Sequence, residues 1–404
     1  MKVRRRQHCI IEIGDLLLPD LSALLNGSVT LTRSVAITLL CQISGRRIPL
    51  TPEALALMAA LPGDAWTDVG DLEQRAGCNA ALLGKMIEDG IVLCDAPDGA
   101  SAALLDGQAT LDAIGWHPLA SVYHRMTAWS GITGDEGSRE HGNDAERARL
   151  DKHIAAHGAL PPHFPKRHDA LAHLQLPASP LQGDLADVLQ RRRTTRHFDR
   201  TRPLPMAALA RVLFGTFGAM GVEEIAPGHV AVRRTSPSGG ALHPIEAYPL
   251  IMDVEGVAPG FYHYESDTHR LAKIIDLSAS QARTMASDLT IGQHYFADSS
   301  ALVFHVARLD RHHWKYRRHP KAYKAVLLDS GHLSQTFYLL AAESGLGAFY
   351  TAAINDTDAG RLLALDPLAT MVIGANGVGN LDATKSTLHL NPRPLHATNH
   401  SPGQ

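Results

Sequence analysis

The chain has 404 residues, 45% of them hydrophobic and 20% charged, an ordinary globular composition with room for two or three domains. A formal net charge of −3 excludes the global positive field expected of a partner of nucleic acid or of an anionic membrane. No stretch approaches the roughly 18 apolar residues of a membrane span, and Cys9, Cys41, Cys78 and Cys94 form no CxxC pair, so they read as reduced thiols of a cytoplasmic protein.

The opening, MKVRRRQHCIIEIGDLLLPDL, is basic, but Glu12 and Asp15 interrupt its apolar run and argue against a signal peptide. HCIIEI and SVAITLL read as strands. TPEALALMAALP reads as a helix, because Thr51-Pro52 is a start signal and Glu53 lies in the first turn. VGDLEQRAG and NAALLGKMIEDG are two further short helices; Gly90 closes the second, and IVLCDA returns as a strand. Helices followed by a β-return predict a winged-helix-like module over residues 1–100. Its recognition helix would be Asn79 to Asp89, with one lysine against two acids. That charge speaks against DNA and for a peptide-binding or structural module.

Residues 101–182 read as a junction and linker. GWHPLASVYHRMTAW is aromatic-rich and suits a domain junction, RARLDKHIAAHG suits a helix, and the prolines of LPPHFPKRHD bias it to extended backbone. The third region, 183–404, mixes helices and strands. DLADVLQRRRTTRHF is a helix that runs into a basic turn, and LPMAALARVLFGTFG is a second helix. EAYPLIMDV, FYHYE, HRLAKII, ALVFHVARL and TMVIGANGVG are strands of one sheet. AYKAVLLDSGHLSQTFYLLAAESGLG is a long helix that ends near Gly345 and Gly347. The fold class expected is α+β.

Four stretches could carry chemistry. In QRRRTTRHFDRTR, Arg191, Arg192, Arg193, Arg196, Arg200 and Arg202 surround Thr194 and Thr195, and guanidinium forks beside hydroxyls suit a phosphate. A solvated basic turn or a nucleic-acid patch would have the same composition. RRTSPSGGALHP, 233–244, has a turn with bare backbone at Gly239 and Gly240, open to a flat or anionic ligand or simply to a turn. In HHWKYRRHPKAYK, 312–324, positive neighbours surround Lys315, and like-charge crowding favours the neutral, proton-accepting form of a lysine. A solvated basic loop is the plain alternative. His312, His313 and His319 have no carboxylate or cysteine beside them, so no metal is expected. GANGVG does not fit GxGxxG and has no helix after it, which rules out a dinucleotide fingerprint.

Taken in order, these stretches resemble the flavin-dependent nitroreductase superfamily over 183–380. Within it they are most similar to the SagB-type azoline dehydrogenases of peptide maturation. The superfamily's RRSxRxF stands here as RRTTRHF, 192–198, and the branch's PSAGALYPLE as PSGGALHPIE, 237–246. KYGxRGYRxxLLExGHxxQ stands as KYRRHPKAYKAVLLDSGHLSQ, with Asp329 in place of glutamate and a reshaped turn after Tyr316. The resemblance implies a nitroreductase-like domain, a mainly antiparallel sheet flanked by helices, that binds flavin mononucleotide (FMN). It assigns the phosphate to Arg192, Arg193, Thr194 and Arg196, with Arg393 of NPRP closing that site. The flavin ring would lie against Pro237, Ser238, Gly239 and Gly240, and against Thr351, Ala352 and Ala353. The bare backbone at Gly239 and Gly240 would then leave room for the isoalloxazine. Lys315 and Tyr316 would be catalytic. His243, where tyrosine is common, would touch substrate. The implied partners are a precursor peptide, gripped by the N-terminal module, a YcaO-type cyclodehydratase, and a second copy of the chain, with FMN at the interface. The implied reaction is oxidation of thiazoline or oxazoline rings. A reductase of dehydroamino acids, nitro compounds or quinones would share the cofactor, and a non-catalytic peptide-binding partner would share the fold.

Overall fold

The computed structural model describes residues 1–76, 79–96, 98–134, 143–177, 181–382 and 384. Strands β1 (Lys2–Arg5), β2 (Cys9–Pro19), β3 (Leu31–Cys41), β4 (Arg47–Leu50), β5 (Thr67–Asp68) and β6 (Val92–Cys94) form two small antiparallel sheets, ordered β5-β1-β6 and β2-β3-β4. Helices α1 (Leu21–Leu25), α2 (Pro52–Ala60), α3 (Val69–Ala76) and α4 (Ala80–Glu88) accompany them. α2 starts where its capping chemistry dictates: the Thr51 hydroxyl accepts the Ala54 N–H, and Pro52 occupies the first turn. α4 gives way at Gly90, whose φ of +70° a residue with a side chain rarely adopts. Val3, Leu39, Leu57, Met58, Leu83 and Met86 close one core over these pieces. Each such side chain contributes about 1.5–3 kcal/mol on burial, more than the propensities of such short segments can offer.

β2 and β3 pair from Cys9↔Cys41 to Pro19↔Leu31. The far part of this hairpin is an arm with Ile13, Leu17, Leu31 and Val35 exposed. Helices α5 (Gly99–Ile114) and α6 (Pro118–Met126) then lead toward the second half, with Gly115 ending α5 at a φ of +88°. Between them Trp116 is buried: its indole N–H donates to the Leu368 carbonyl at 2.8 Å, and its ring lies 4.6 Å from that of His313. Next comes α7 (Asn143–His157), which is exposed from 147 onward.

The second half contains α8 (Asp184–Arg191), α9 (Met206–Phe217) and a hairpin of β7 (Gly221–Ala226) and β8 (His229–Arg233). β9 (Ile245–Ile251), β10 (Gly260–Glu265) and β11 (Arg270–Asp276) follow, then α10 (Ala279–Leu289), α11 (His294–Asp298) and β12 (Ala301–Arg308). α12 (Leu309–Lys315), α13 (Ala322–Glu343), β13 (Leu346–Thr351), α14 (Asp356–Leu362) and β14 (Thr370–Asn380) complete it. One antiparallel sheet of six strands, ordered β11-β10-β9-β12-β14-β13, organises this half. Along β12, Ala301, Val303 and Ala307 join one core with α9 and α13, while Leu302, Phe304 and Val306 join another with α10. A strand covered on both faces reads as a continuous apolar run, as ALVFHVA does.

The glycines of GANGVG are packing residues. A side chain at Gly377 would collide with the Phe349 ring, and one at Gly379 would come within 2.8 Å of Phe198. The two rings pack close to β14 where those positions carry no Cβ. No described helix is long and apolar enough to cross a membrane.

Candidate active site

The loop at 237–243 is held by α13. The Ser238 hydroxyl donates to the buried Asp329 carboxylate at 2.6 Å, and the Gly239 N–H donates to it at 3.0 Å. The same Ser238 oxygen accepts the His243 N–H at 2.9 Å, so one side chain ties both ends of the loop to α13. Ser236, just before it, shares a 2.7 Å hydrogen bond with Thr336, two helical turns beyond Asp329. Within the loop Ala241 and His243 have φ values of +58° and +47°. Such values are uncommon for residues with a side chain, and the hydrogen bonds to Ser238 and Asp329 hold the loop in this shape.

Lys315 and Tyr316 end α12 against this loop. The Lys315 ammonium donates to the Gly240 carbonyl at 3.3 Å and lies 5.7 Å from the Tyr316 ring. Gly240 has a φ of +65°, and a Cβ there would come within 2.9 Å of Lys315 Nζ and collide with the Tyr316 hydroxyl. At Gly239 a Cβ would make ordinary contact with Ala325, at 3.4 Å. The φ of Gly240 favours glycine, and a side chain there would also have to displace the ends of Lys315 and Tyr316.

Of the positive neighbours expected around Lys315, two are drawn away from it. Arg317 is drawn off to the end of α5, donating to the Ala113 and Asp112 carbonyls at 2.9 and 3.0 Å. The Arg318 N–H donates to Gly115 O at 2.7 Å, and its guanidinium lies 3.7 Å from the Asp112 carboxylate. Arg311 stays on the Lys315 side, donating to Leu242 O of the same loop at 2.6 Å. The reshaped turn after Tyr316 is thus a clamp on α5, and it joins the Lys-Tyr pair to the N-terminal half.

The arginine turn lies along the outer edge of β13. Thr195 N–H donates to Ala348 O at 2.8 Å, and a Cβ on Gly347 would strike the Thr195 methyl at 2.6 Å. Arg200 and Arg202 are paired with Asp298 and Asp199. Arg192, Arg193 and Arg196 have no carboxylate within salt-bridge distance among the described residues. Arg192 lies over the Tyr338 ring at 5.5 Å and Arg196 over Tyr295 at 5.8 Å, and the Arg196 Nε is buried without a hydrogen-bond partner. Thr194 Oγ1 is 3.3 Å from the Tyr338 hydroxyl. An uncompensated arginine cluster with an orphaned buried donor fits an anionic group such as a phosphate. Thr351 lies three residues beyond Ala348 on the same strand, about 10 Å along it. Ala353 O accepts from Gln293, whose other amide atom meets Tyr295.

The expected site residues therefore fall into two groups on one chain. Ser238, Gly239, Gly240, Lys315 and Tyr316 gather at Asp329. Arg192, Thr194 and Arg196 gather around Tyr338 and Tyr295, on the side of Ala353. Asp329 and Tyr338 are nine residues apart on α13, about two and a half turns, and so point to opposite sides of the helix. Pro237 is exposed in the loop, Ala352 is exposed beyond β13, and Arg393 lies outside the described residues. Asp329, Tyr338 and Tyr295 were not singled out as site residues, because their function depends on contacts with distant segments. Beneath the site, buried His305 is 2.9 Å from Ser330 Oγ, which is 3.1 Å from the Tyr350 hydroxyl. Burial pushes this imidazole down to about 4. Among the described residues no group of three or more His, Cys, Asp or Glu side chains could hold a metal ion.

Residues 189–380 match the family model described as Nitroreductase family. The nitroreductase-like protein MJ1384 of Methanocaldococcus jannaschii is 28% identical over 192 residues, covering 47% of this chain and 90% of that protein. Trifolitoxin-processing protein TfxB of Rhizobium leguminosarum bv. trifolii is 30% identical over 145 residues, 36% of this chain and 39% of that protein. The match thus spans well under half of TfxB. The solved E. coli microcin synthetase McbBCD complex with truncated pro-MccB17 bound aligns at 19% identity and a TM-score of 0.39, over 61% of this chain and 97% of that one. A solved nitroreductase-like protein of Desulfovibrio desulfuricans in complex with FMN and the NADPH:FMN oxidoreductase of Vibrio harveyi each align at 15% identity and a TM-score of 0.35, over 53% and 55% of this chain and 94% and 77% of theirs. The second half of the chain is a nitroreductase-like α+β domain, its antiparallel sheet flanked by helices.

Proposed function

We propose that the chain is an FMN-dependent dehydrogenase that oxidises azoline rings, thiazoline or oxazoline, in a ribosomally made precursor peptide. The observation that carries this reading is the Lys315–Tyr316 pair laid against Gly240. The nitroreductase match and the likeness to a peptide-processing protein, TfxB, support it.

Arg192, Arg193, Thr194 and Arg196 hold the FMN phosphate; their missing carboxylate partners are the fit to that anion. Pro237–Gly240 and Thr351–Ala353 border the ring. When bound, the flavin supplies the hydride acceptor that no side chain can offer. Lys315, once it has released a proton to solvent and stands as the free amine, accepts at Nζ the proton that leaves the adjacent ring carbon as the new double bond forms. Tyr316 orients the azoline, and the clamp on α5 keeps both side chains in place. His243 borders the substrate. The two groups of residues face different sides of α13, and that side-to-side separation favours a homodimer in which one copy's loop completes the other's flavin site. Exposed Leu327 and Leu328 on α13 suit such a contact. The precursor peptide and a YcaO-type cyclodehydratase are the partners of this reading. Among the described residues no strand pairs with the outer edge of β2, which offers the N-terminal half a place to receive an extended peptide.

Lys315→Ala is expected to abolish turnover of an azoline peptide and to leave the purified protein yellow. Undiminished turnover would sink the assignment. A second reading, a flavin reductase fed by a nicotinamide nucleotide, draws on the match to nearly the whole of MJ1384. Rapid anaerobic bleaching by NAD(P)H alone would favour it.

A further inference from the structure

A cavity of about 490 Å³ opens beside the loop, and His243 lines it together with Arg234, Arg311, Glu246, His263 and Arg308. Its lining holds four arginines against three carboxylates. Most of these charges are matched. Arg270 pairs with Glu265, Arg308 with Asp310 and Glu246, and His263 with Glu246. Asp267 is exposed. Arg234 and Arg311 have no carboxylate within salt-bridge distance among the described residues.

These two guanidiniums converge. Arg311 donates to Leu242 O, and Arg234 donates to Ile245 O at 3.1 Å, so they grip the chain on either side of His243–Pro244. Each keeps donors in reserve. Arg234 gives one further hydrogen bond, to Ser266, and its Nε is buried without a partner. Arg311 spends only its Nε on Leu242. Burial first, and then Arg234, hold the His243 imidazole below its ordinary range, so the ring adds a polar edge rather than a fixed charge. Arg311 and Lys315 are four residues apart on α12, hence on one face and about 6 Å apart along the axis. Both side chains reach the same loop, at Leu242 and Gly240.

We propose that this cavity is an anion subsite, in which Arg234 and Arg311 take a carboxylate or phosphate group carried by the ligand that reacts at Lys315. The inference deepens the reading above by giving the substrate a negative charge close to the reacting ring. Two sources share this chemistry: an acidic residue or terminal carboxylate of the peptide, and a phosphate of a nicotinamide nucleotide.

The test is calorimetric titration of the flavin-loaded protein at low ionic strength. The probes are N-acetyl-aspartate N-methylamide, its neutral asparagine counterpart and inorganic phosphate. At least one anion should bind about tenfold or more tightly than the asparagine compound, and Arg311→Gln should erase that preference. Arg211→Gln, which breaks a remote pair with Glu343, should leave it intact. Tighter binding of the aspartate probe assigns the subsite to the peptide; tighter binding of phosphate assigns it to a nucleotide. Should Arg311→Gln not fold, wild-type protein alone decides: the preference must fade as salt is raised. An equal affinity for charged and neutral probes, or a preference that survives Arg311→Gln or high salt, overturns the subsite. Loss of azoline oxidation with the anion preference intact would sink the reaction and leave the subsite standing.

Discussion

Gly240 is the residue on which the site turns. Its φ of +65° and the Tyr316 and Lys315 atoms at the place of its missing Cβ make Gly240→Ala doubly unfavourable. The backbone cost alone is about 1–2 kcal/mol, and the added methyl must push the Lys-Tyr pair away. Gly239→Ala meets only ordinary contact with Ala325 and keeps its N–H for Asp329. We expect Gly240→Ala to lower kcat on an azoline peptide at least tenfold, with Gly239→Ala near wild type. Equal losses in the two variants would contradict the geometry. The arginines make a separate prediction. Each charge-assisted contact to phosphate contributes about 1.5–3 kcal/mol. Arg192→Ala/Arg196→Ala should therefore strip the protein of its flavin on gel filtration, whereas Arg200→Ala, which breaks only a surface pair with Asp298, should not.

At the scale of elements, the clamp between the turn after Tyr316 and the end of α5 joins the two halves. Arg317 caps α5 by donating to its last carbonyls, which also suits the helix dipole. Arg317→Ala should retain flavin and lower kcat severalfold with little change in KM, because it frees the Lys-Tyr pair without touching the ligand. An unchanged kcat would show that the clamp does not position the pair. The element scale also shows what the sequence conceals. α2, α4, α8, α9 and the long α13 follow from caps and apolar spacing, and β9, β10, β11, β12 and β14 from their apolar runs. α5 has cap residues at Asp98 and Gly115, but its 16 residues show no clear apolar stripe. β13 is hidden because GLGAFYT has two glycines, one of them bare to make room for Thr195. The hairpin of β7 and β8 is fully or partly exposed and lacks a buried alternating face. At the site, the motifs point to the arginine turn, the glycine loop and the Lys-Tyr pair. They say nothing of Asp329 as the anchor of Ser238, or of the clamp on α5 from Arg317 and Arg318, because both are contacts across roughly 90 to 200 positions of chain.

At the scale of the whole molecule, stability should depend on acid through the buried histidines. His305 has a folded value of about 4 against an ordinary 6.5, so below pH 6.5 the unfolded chain takes up a proton that the folded one refuses. Stability is full above pH 6.5 and falls progressively to about pH 4, by on the order of 3 kcal/mol from this group. His305→Asn should flatten the fall in urea-unfolding free energy between pH 7 and pH 5; an unaltered slope would exclude His305 as its source.

The central claim is that azoline oxidation is coupled to the bound flavin through Lys315. It is tested most directly by mixing the flavin-loaded protein with an azoline-bearing peptide in the absence of oxygen and following the flavin's visible absorbance. Wild type should bleach with formation of one aromatic ring per flavin, and Lys315→Ala should not bleach. Absorbance that is unmoved by the peptide yet bleached by NAD(P)H alone would contradict it.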